Sequence, residues 1–181
     1  MHAIAKFIYF KLMGWKVQGE FPLHLKKCVV PVVPHTSWHD FYIGILVRNV
    51  WRAEINFVGK KSLFKAPYGW YFRWMGGTPI DRTKSTDFVT ATAKVFKEKA
   101  IFRLALAPEG TRKKVQKLKT GFYYIAKAAE VPILMVAFDF ENKQVKVAQP
   151  FFPSNDIIAD FEKINTFFKG VNGKVAAYSY S

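Results

Sequence analysis

The stretch VPHTSWHDFY, residues 33–42, holds His35, Ser37, His39 and Asp40, and so two of the chain's 4 histidines. His35 comes just after the apolar run CVVPVV, and Asp40 stands where apolar residues begin to recur at helical spacing. In a strand-to-helix turn that interval lets the carboxylate reach back to one imidazole nitrogen. Such a contact selects the tautomer and leaves the other nitrogen able to take a proton. The same two residues also suit a plain turn and helix cap, and the pair alone does not choose between base and cap. His35 and His39 have the spacing of two metal ligands on one helical face, but no third ligand has a spacing to support it. Ser37 lacks the flanking glycines of a nucleophile elbow.

Three further stretches carry chemistry-bearing residues. GGTPIDR, residues 76–82, ends in Arg82; APEGTR, residues 107–112, sets Glu109, Gly110, Thr111 and Arg112 at the end of the apolar run AIFRLAL; VPILMV, residues 131–136, opens another apolar run. A loop glycine permits close backbone approach, and an arginine at a strand end presents a planar fork suited to phosphate.

These residues need a scaffold, and hydrophobic periodicity supplies one. WKVQGEF alternates like an edge strand, CVVPVV reads as a buried strand, and INFVGK and AIFRLALAP read as further strands, the last of them central. VPILMVAFDF follows as a strand whose hairpin partner is KQVKVAQ, across the turn ENK. Ile43, Leu46, Val47 and Val50 share a helical face, as do Phe122, Ile125, Ala126 and Ala129 in a helix over 121–129. STDFVTATAKVFKEK reads as another helix. In the last helix, Ile157, Phe161, Ile164 and Phe168 line one face and Ser154 is the expected cap. Strands alternating with helices of this length imply an α/β fold: a single domain over 1–181 with a mixed, largely parallel sheet, helices on both faces, and ligands at the carboxyl ends of strands.

At 181 residues the chain is long enough to bury a core without staples. Its 28 Lys and Arg against 13 Asp and Glu leave a formal charge of +15, which attracts anions of any kind. The single Cys28 sits in an apolar run and reads as a buried hydrophobe, in keeping with a reducing compartment. Neither a signal peptide nor an apolar run of the ~20 residues of a spanning helix is expected. The amphipathic segment 1–15 places Ile4, Ile8, Leu12 and Trp15 on one helical face. It reads either as a helix docked on its own core or as a helix at a membrane interface. The aromatic segment around Trp70, Tyr71, Phe72 and Trp74 reads as interface belt or core, and RKKVQKLK, residues 112–119, as a solvated basic face first, a surface for lipid headgroups or an acidic carrier protein second, and for nucleic acid last.

Taken together, the blocks at His35–Asp40, GGTPIDR, APEGTR and VPILMV resemble the four motif blocks of the glycerophospholipid acyltransferases, in order and in spacing. The resemblance runs from about Gly14 to Phe138. It implies that His35 is the general base toward an acceptor hydroxyl and that Asp40 orients it. It implies an acceptor site of Arg82, Glu109, Gly110, Thr111 and Arg112, with the arginines on the phosphate of lysophosphatidic acid. The implied donor is an acyl thioester of coenzyme A or acyl carrier protein, with no metal or other cofactor. The implied setting is an anionic membrane surface on the cytoplasmic face, with no nucleic acid as partner. Pro34 stands where the family usually has Asn, and Lys113 where it usually has Ser. Acylation of a lyso-amino-acid lipid or other hydroxylated lipid is the nearest alternative. A non-catalytic basic module binding membranes or nucleic acid, and a metal hydrolase built on His35 and His39, are readings of other classes.

Overall fold

In the computed structural model, which describes residues 2–80 and 85–180, the run KCVVPVV becomes strand β2 (Lys27–Val33). Its side chains alternate between two cores: Val29 and Val33 enter one, Cys28 and Val30 the other. That period of two is what a strand covered on both faces requires. β2 pairs in parallel with β5 (Phe102–Leu106), Lys27 opposite Phe102 and Pro31 opposite Leu106. On its other side it pairs in parallel with β6 (Val136–Asp139), which turns back as a hairpin onto β7 (Gln144–Val147). β7 carries the short parallel edge strand β1 (Lys16–Gln18), so the order is β1-β7-β6-β2-β5.

β3 (Phe57–Lys60) and β4 (Gly77–Ile80) form a separate parallel pair. Asn56 joins this pair to the main sheet, its N–H donating to Arg103 O at 2.8 Å and its carbonyl accepting Ala105 N–H at 2.8 Å. β2, with ladders on both sides, is therefore the central strand. β5, expected there, has β2 on one side and the Asn56 bridge on the other.

Helices cover both faces, as expected. α2 (His39–Trp51) buries Ile43, Val47 and Val50 in the core that holds Cys28. α4 (Ser85–Glu98), α5 (Gly121–Ala129) and α6 (Ile157–Phe168) contribute Phe96, Phe122, Ile125, Ile164 and Phe168 to the other core. Burial pushes the Cys28 thiol up to about 12, which keeps it an inert hydrophobe at neutral pH.

Three expectations need correction. The cap of α6 is Asp156, whose Oδ1 accepts Ile158 and Ala159 N–H at 3.0 Å, because Ser154 stands two residues before the cap position. The strand expected from Val131 begins at Val136; before it, Ile133 makes only isolated bridges, to Val29 and Phe151. At the amino end, α1 (His2–Lys6) runs into a π-helical turn over Phe7–Leu12, whose wider winding rotates the side chains that follow. The buried residues are Ala5, Tyr9 and Trp15, a face offset by one residue from Ile4 and Ile8, while Ile4 and Leu12 point outward at 65% and 74% exposure.

Candidate active site

β2 ends at Val33, and the chain turns into α2 within five residues, placing His35 and Asp40 at the carboxyl end of the central strand. The Asp40 carboxylate is buried at the start of α2, where the helix dipole favours a negative charge. Its Oδ2 accepts Thr36 N–H at 2.8 Å and Ser37 N–H at 2.9 Å, and lies 3.0 Å from His35 Nδ1. Two backbone donors thus hold the carboxylate in place, and His35 Nδ1–H is its third donor. Nε2 of the neutral ring is then the basic nitrogen. Arg112 Nε approaches it at 3.5 Å.

The loop after β5 supplies that arginine and one residue that differs from expectation. Glu109 does not face the acceptor side. It is 2% exposed, and its Oε2 accepts the backbone N–H of His35 at 2.7 Å. Burial pushes its carboxyl up to about 7; the His35 backbone N–H and ring oppose the shift, and Asp40 adds to it. Glu109 therefore braces the His35 backbone from β5, as Asp40 braces the ring from α2. Gly110, at φ +66°, brings its Cα so close to Lys119 that a Cβ would collide with that side chain. Thr111 and Arg112 are exposed beside it.

A cavity of about 1350 Å³ opens from His35 between these loops, α4 and α5. Its polar rim includes Thr111, Arg112 and Lys119; Phe57, Val89, Leu106 and Phe122 make an apolar wall. Gly110 lines it too, so the structure brings His35, Asp40, Gly110, Thr111 and Arg112 together. Arg82 lies outside the described residues. His39 is turned away from the pair: its Nδ1 is 2.8 Å from Ser37 Oγ and its ring stacks on Trp38 with centroids 4.0 Å apart.

Sequence reasoning passed over two contributors. Lys119 was hidden in a basic run that otherwise faces solvent. Thr36, a spacer between His35 and Asp40, accepts Val175 N–H on Oγ1 at 3.1 Å, so the segment after α6 backs the turn. Gly173 packs there so tightly that a Cβ would strike Thr36 and Pro34, which is the only sequence-level signal for that contact. Val131 and Ile133 of the fourth block are buried in the core, where Pro132 O accepts Val29 N–H at 3.0 Å; their role is structural.

The site is thus a carboxylate-oriented imidazole at a strand-to-helix turn of an α/β fold, beside a cavity with an apolar wall and cations on its rim. The family model described as Acyltransferase matches residues 14–139. The chain belongs to that family. It is 28% identical over 145 residues to a 1-acyl-sn-glycerol-3-phosphate acyltransferase of Salmonella typhimurium, covering 75% of this chain and 58% of that one. It is 27% identical over 145 residues to the protein of the same name from Escherichia coli, with the same coverage, and 29% identical over 137 residues to that from Streptococcus pneumoniae, covering 70% and 50%. The chain thus spans little more than half the length of these curated relatives. No solved structure matches it. Among the described residues, no helix is long and apolar enough to cross a membrane.

Proposed function

We propose that the protein is an O-acyltransferase that moves a fatty acyl group from a thioester to the hydroxyl of a lysophospholipid, with lysophosphatidic acid as acceptor and phosphatidic acid as product. The observation that carries this reading is the 3.0 Å contact of His35 Nδ1 with Asp40, which leaves Nε2 basic at the mouth of the large cavity. Nε2 takes the hydroxyl proton as the oxygen attacks the thioester carbonyl. The C–S bond then breaks, and the imidazolium returns the proton to the departing thiolate. A thioester is already activated, so a positioned base, supplying roughly 100 to 10,000-fold, suffices together with stabilisation of the developing oxyanion. Asp40 stabilises the imidazolium between the two proton transfers.

Arg112 has two positions in this scheme. Without substrate its guanidinium rests against Nε2 at 3.5 Å. The acceptor phosphate draws the guanidinium away as a bidentate partner, which uncovers the base for the hydroxyl. Arg82 joins it on the phosphate, and Lys119 adds a third cation from the rim. The apolar wall accepts an acyl chain. The donor is a thioester of coenzyme A or acyl carrier protein.

A membrane-surface setting is supported by side chains near the entrance and on α1. Trp38, Phe41 and Tyr42 are exposed at the start of α2, and Ile4, Phe7 and Leu12 along the amino-terminal helix. The deciding experiment follows thiol release from an acyl-coenzyme A thioester, with and without lysophosphatidic acid, by wild type and His35→Ala. Release that needs both the lipid and His35 is expected. Release in His35→Ala at the wild-type rate would remove the base assignment. Absence of release with either coenzyme A or carrier-protein thioesters would remove the activity.

A further inference from the structure

Arg48, Arg52, Arg73 and Lys99 converge on a second cavity, of about 380 Å³, for which acyl transfer has no use. It opens between the carboxyl end of α2, the glycines Gly76 and Gly77, and α3 (Gly69–Trp74). None of its lining residues is shared with the cavity beside His35. Arg48 and Arg52 lie about 12 and 18 Å beyond Asp40 along α2, at ~1.5 Å per residue.

The charge in this cleft is only partly compensated, by Glu54 acting on Arg48. Glu54 is the one carboxylate among its lining residues, and among the described residues none of the four cations forms an ion pair. Neutral oxygens hold three of the heads: Arg48 Nη1 donates to Met75 O at 2.8 Å, Arg73 Nη1 to Phe64 O at 3.1 Å, and Lys99 Nζ to Thr78 Oγ1 at 3.2 Å. Each keeps further N–H groups, and the Arg52 guanidinium is exposed, without an ion pair among the described residues. Burial lowers the pKa of Arg48, so an anion beside it would relieve a desolvated charge. Helix dipoles account for part of the cluster, since Arg48 and Arg73 stand in the last turns of α2 and α3 and Lys99 directly follows α4. The Arg48 and Asn49 carbonyls at the end of α2 are already capped by Arg52 and Ala53 N–H, so the arginine heads are not spent on them.

We propose that this cleft is a phosphate site. Three guanidinium forks, two from the end of α2 and one from α3, can match phosphate oxygens in pairs, and the small volume suits a headgroup rather than an acyl chain. Beside it, α3 and the residue before it present Trp74 at 65% exposure and Tyr68 and Trp70 at 70% each. Aromatic rings next to cations suit the headgroup layer of a bilayer, so the phosphate is that of an anionic phospholipid. A soluble phosphate would meet the same chemistry without the rings. The inference is independent of acyl transfer, because the two cavities share no residue.

Arg52→Gly is the discriminating variant. Arg52 sits at φ 55°, where glycine is at ease, so the guanidinium is removed without strain. In an Arg112→Ala background, which removes the arginine at the other cavity, calorimetric titration with inorganic phosphate should still detect a site. Adding Arg52→Gly should weaken that site by about 10-fold or more, the loss of one charge-assisted contact. Cosedimentation with phosphatidylcholine vesicles, with and without phosphatidylglycerol, names the source. Loss of phosphatidylglycerol-dependent binding in Arg52→Gly identifies a lipid phosphate; weakened phosphate affinity with unchanged vesicle binding identifies a soluble one. No phosphate site in Arg112→Ala, or a site indifferent to Arg52→Gly, overturns the proposal. Thiol release by Arg52→Gly in detergent should equal wild type, so either reading can fail without the other.

Discussion

Glu109→Gln isolates the effect of burying a carboxyl beneath the candidate base. The side chain is 2% exposed, and burial moves its carboxyl from 4.5 to about 7. Between those values the folded state holds a proton that the unfolded chain has released. Stability contributed by this group is therefore full below about pH 4.5, falls as pH rises, and is lost once pH passes 7. At ~1.4 kcal/mol per pH unit the shift amounts to about 3 kcal/mol. An amide cannot ionise, yet its oxygen can still accept the His35 N–H that Glu109 takes at 2.7 Å. The variant should consequently track wild type near pH 4.5 and exceed it by about 3 kcal/mol at pH 8. Urea unfolding of both proteins across this range measures the difference, and subtraction cancels the titrating groups that do not act on Glu109. A difference that stays constant with pH, or that favours wild type as pH rises, would refute the reasoning by showing that Glu109 ionises as a hydrated carboxyl does.

Other expectations follow from single contacts. Asp40→Asn keeps an oxygen for the Thr36 and Ser37 N–H groups but loses the charge facing the imidazolium, so kcat should fall roughly 100 to 10,000-fold with KM little changed; a kcat near wild type would take Asp40 out of the proton transfer. Arg112→Ala should raise KM for lysophosphatidic acid far more than for the thioester, and equal effects on both would count against the phosphate contact. Ile125→Ala removes a fully buried side chain of α5 and should cost about 2 to 5 kcal/mol in denaturant unfolding. Asp156→Ala should cost about 1 kcal/mol in the same assay by uncapping α6, and an unchanged midpoint would show that the cap adds nothing.

Much of the fold was legible because its signals are local. The continuous apolar run CVVPVV and the helical recurrence over 121–129 each arise within a few residues, and the structure returns β2 and α5 at those positions. The His35–Asp40 contact was legible for the same reason: the two residues are separated only by one turn, and the strand-to-helix geometry brings Nδ1 and Oδ2 to 3.0 Å. Local patterns failed where two faces are both apolar. Ile4, Ile8 and Leu12 share one helical face and Ala5 and Tyr9 the neighbouring one, and docking on the core buried the second.

Tertiary structure alone decided the contacts that cross the chain. Glu109 reaches the His35 backbone across 74 positions because the parallel register of β2 and β5 ends both strands at one level. Val175 reaches Thr36 across 139 positions, and Arg103, an arginine inside a strand, is buried by donating to the carbonyls of Leu23 and Leu25 at 2.9 and 2.7 Å. The basic cleft at the far end of α2 has the same origin, since its cations come from three elements whose side chains share no periodicity. By itself the sequence determined which segments become strands and helices and which local pair could move a proton, because burial period and turn spacing act over one or two turns. Which distant carboxyl lies under that pair, and where unpaired charge collects, depends on strand register and helix docking, which are settled only when the whole core closes.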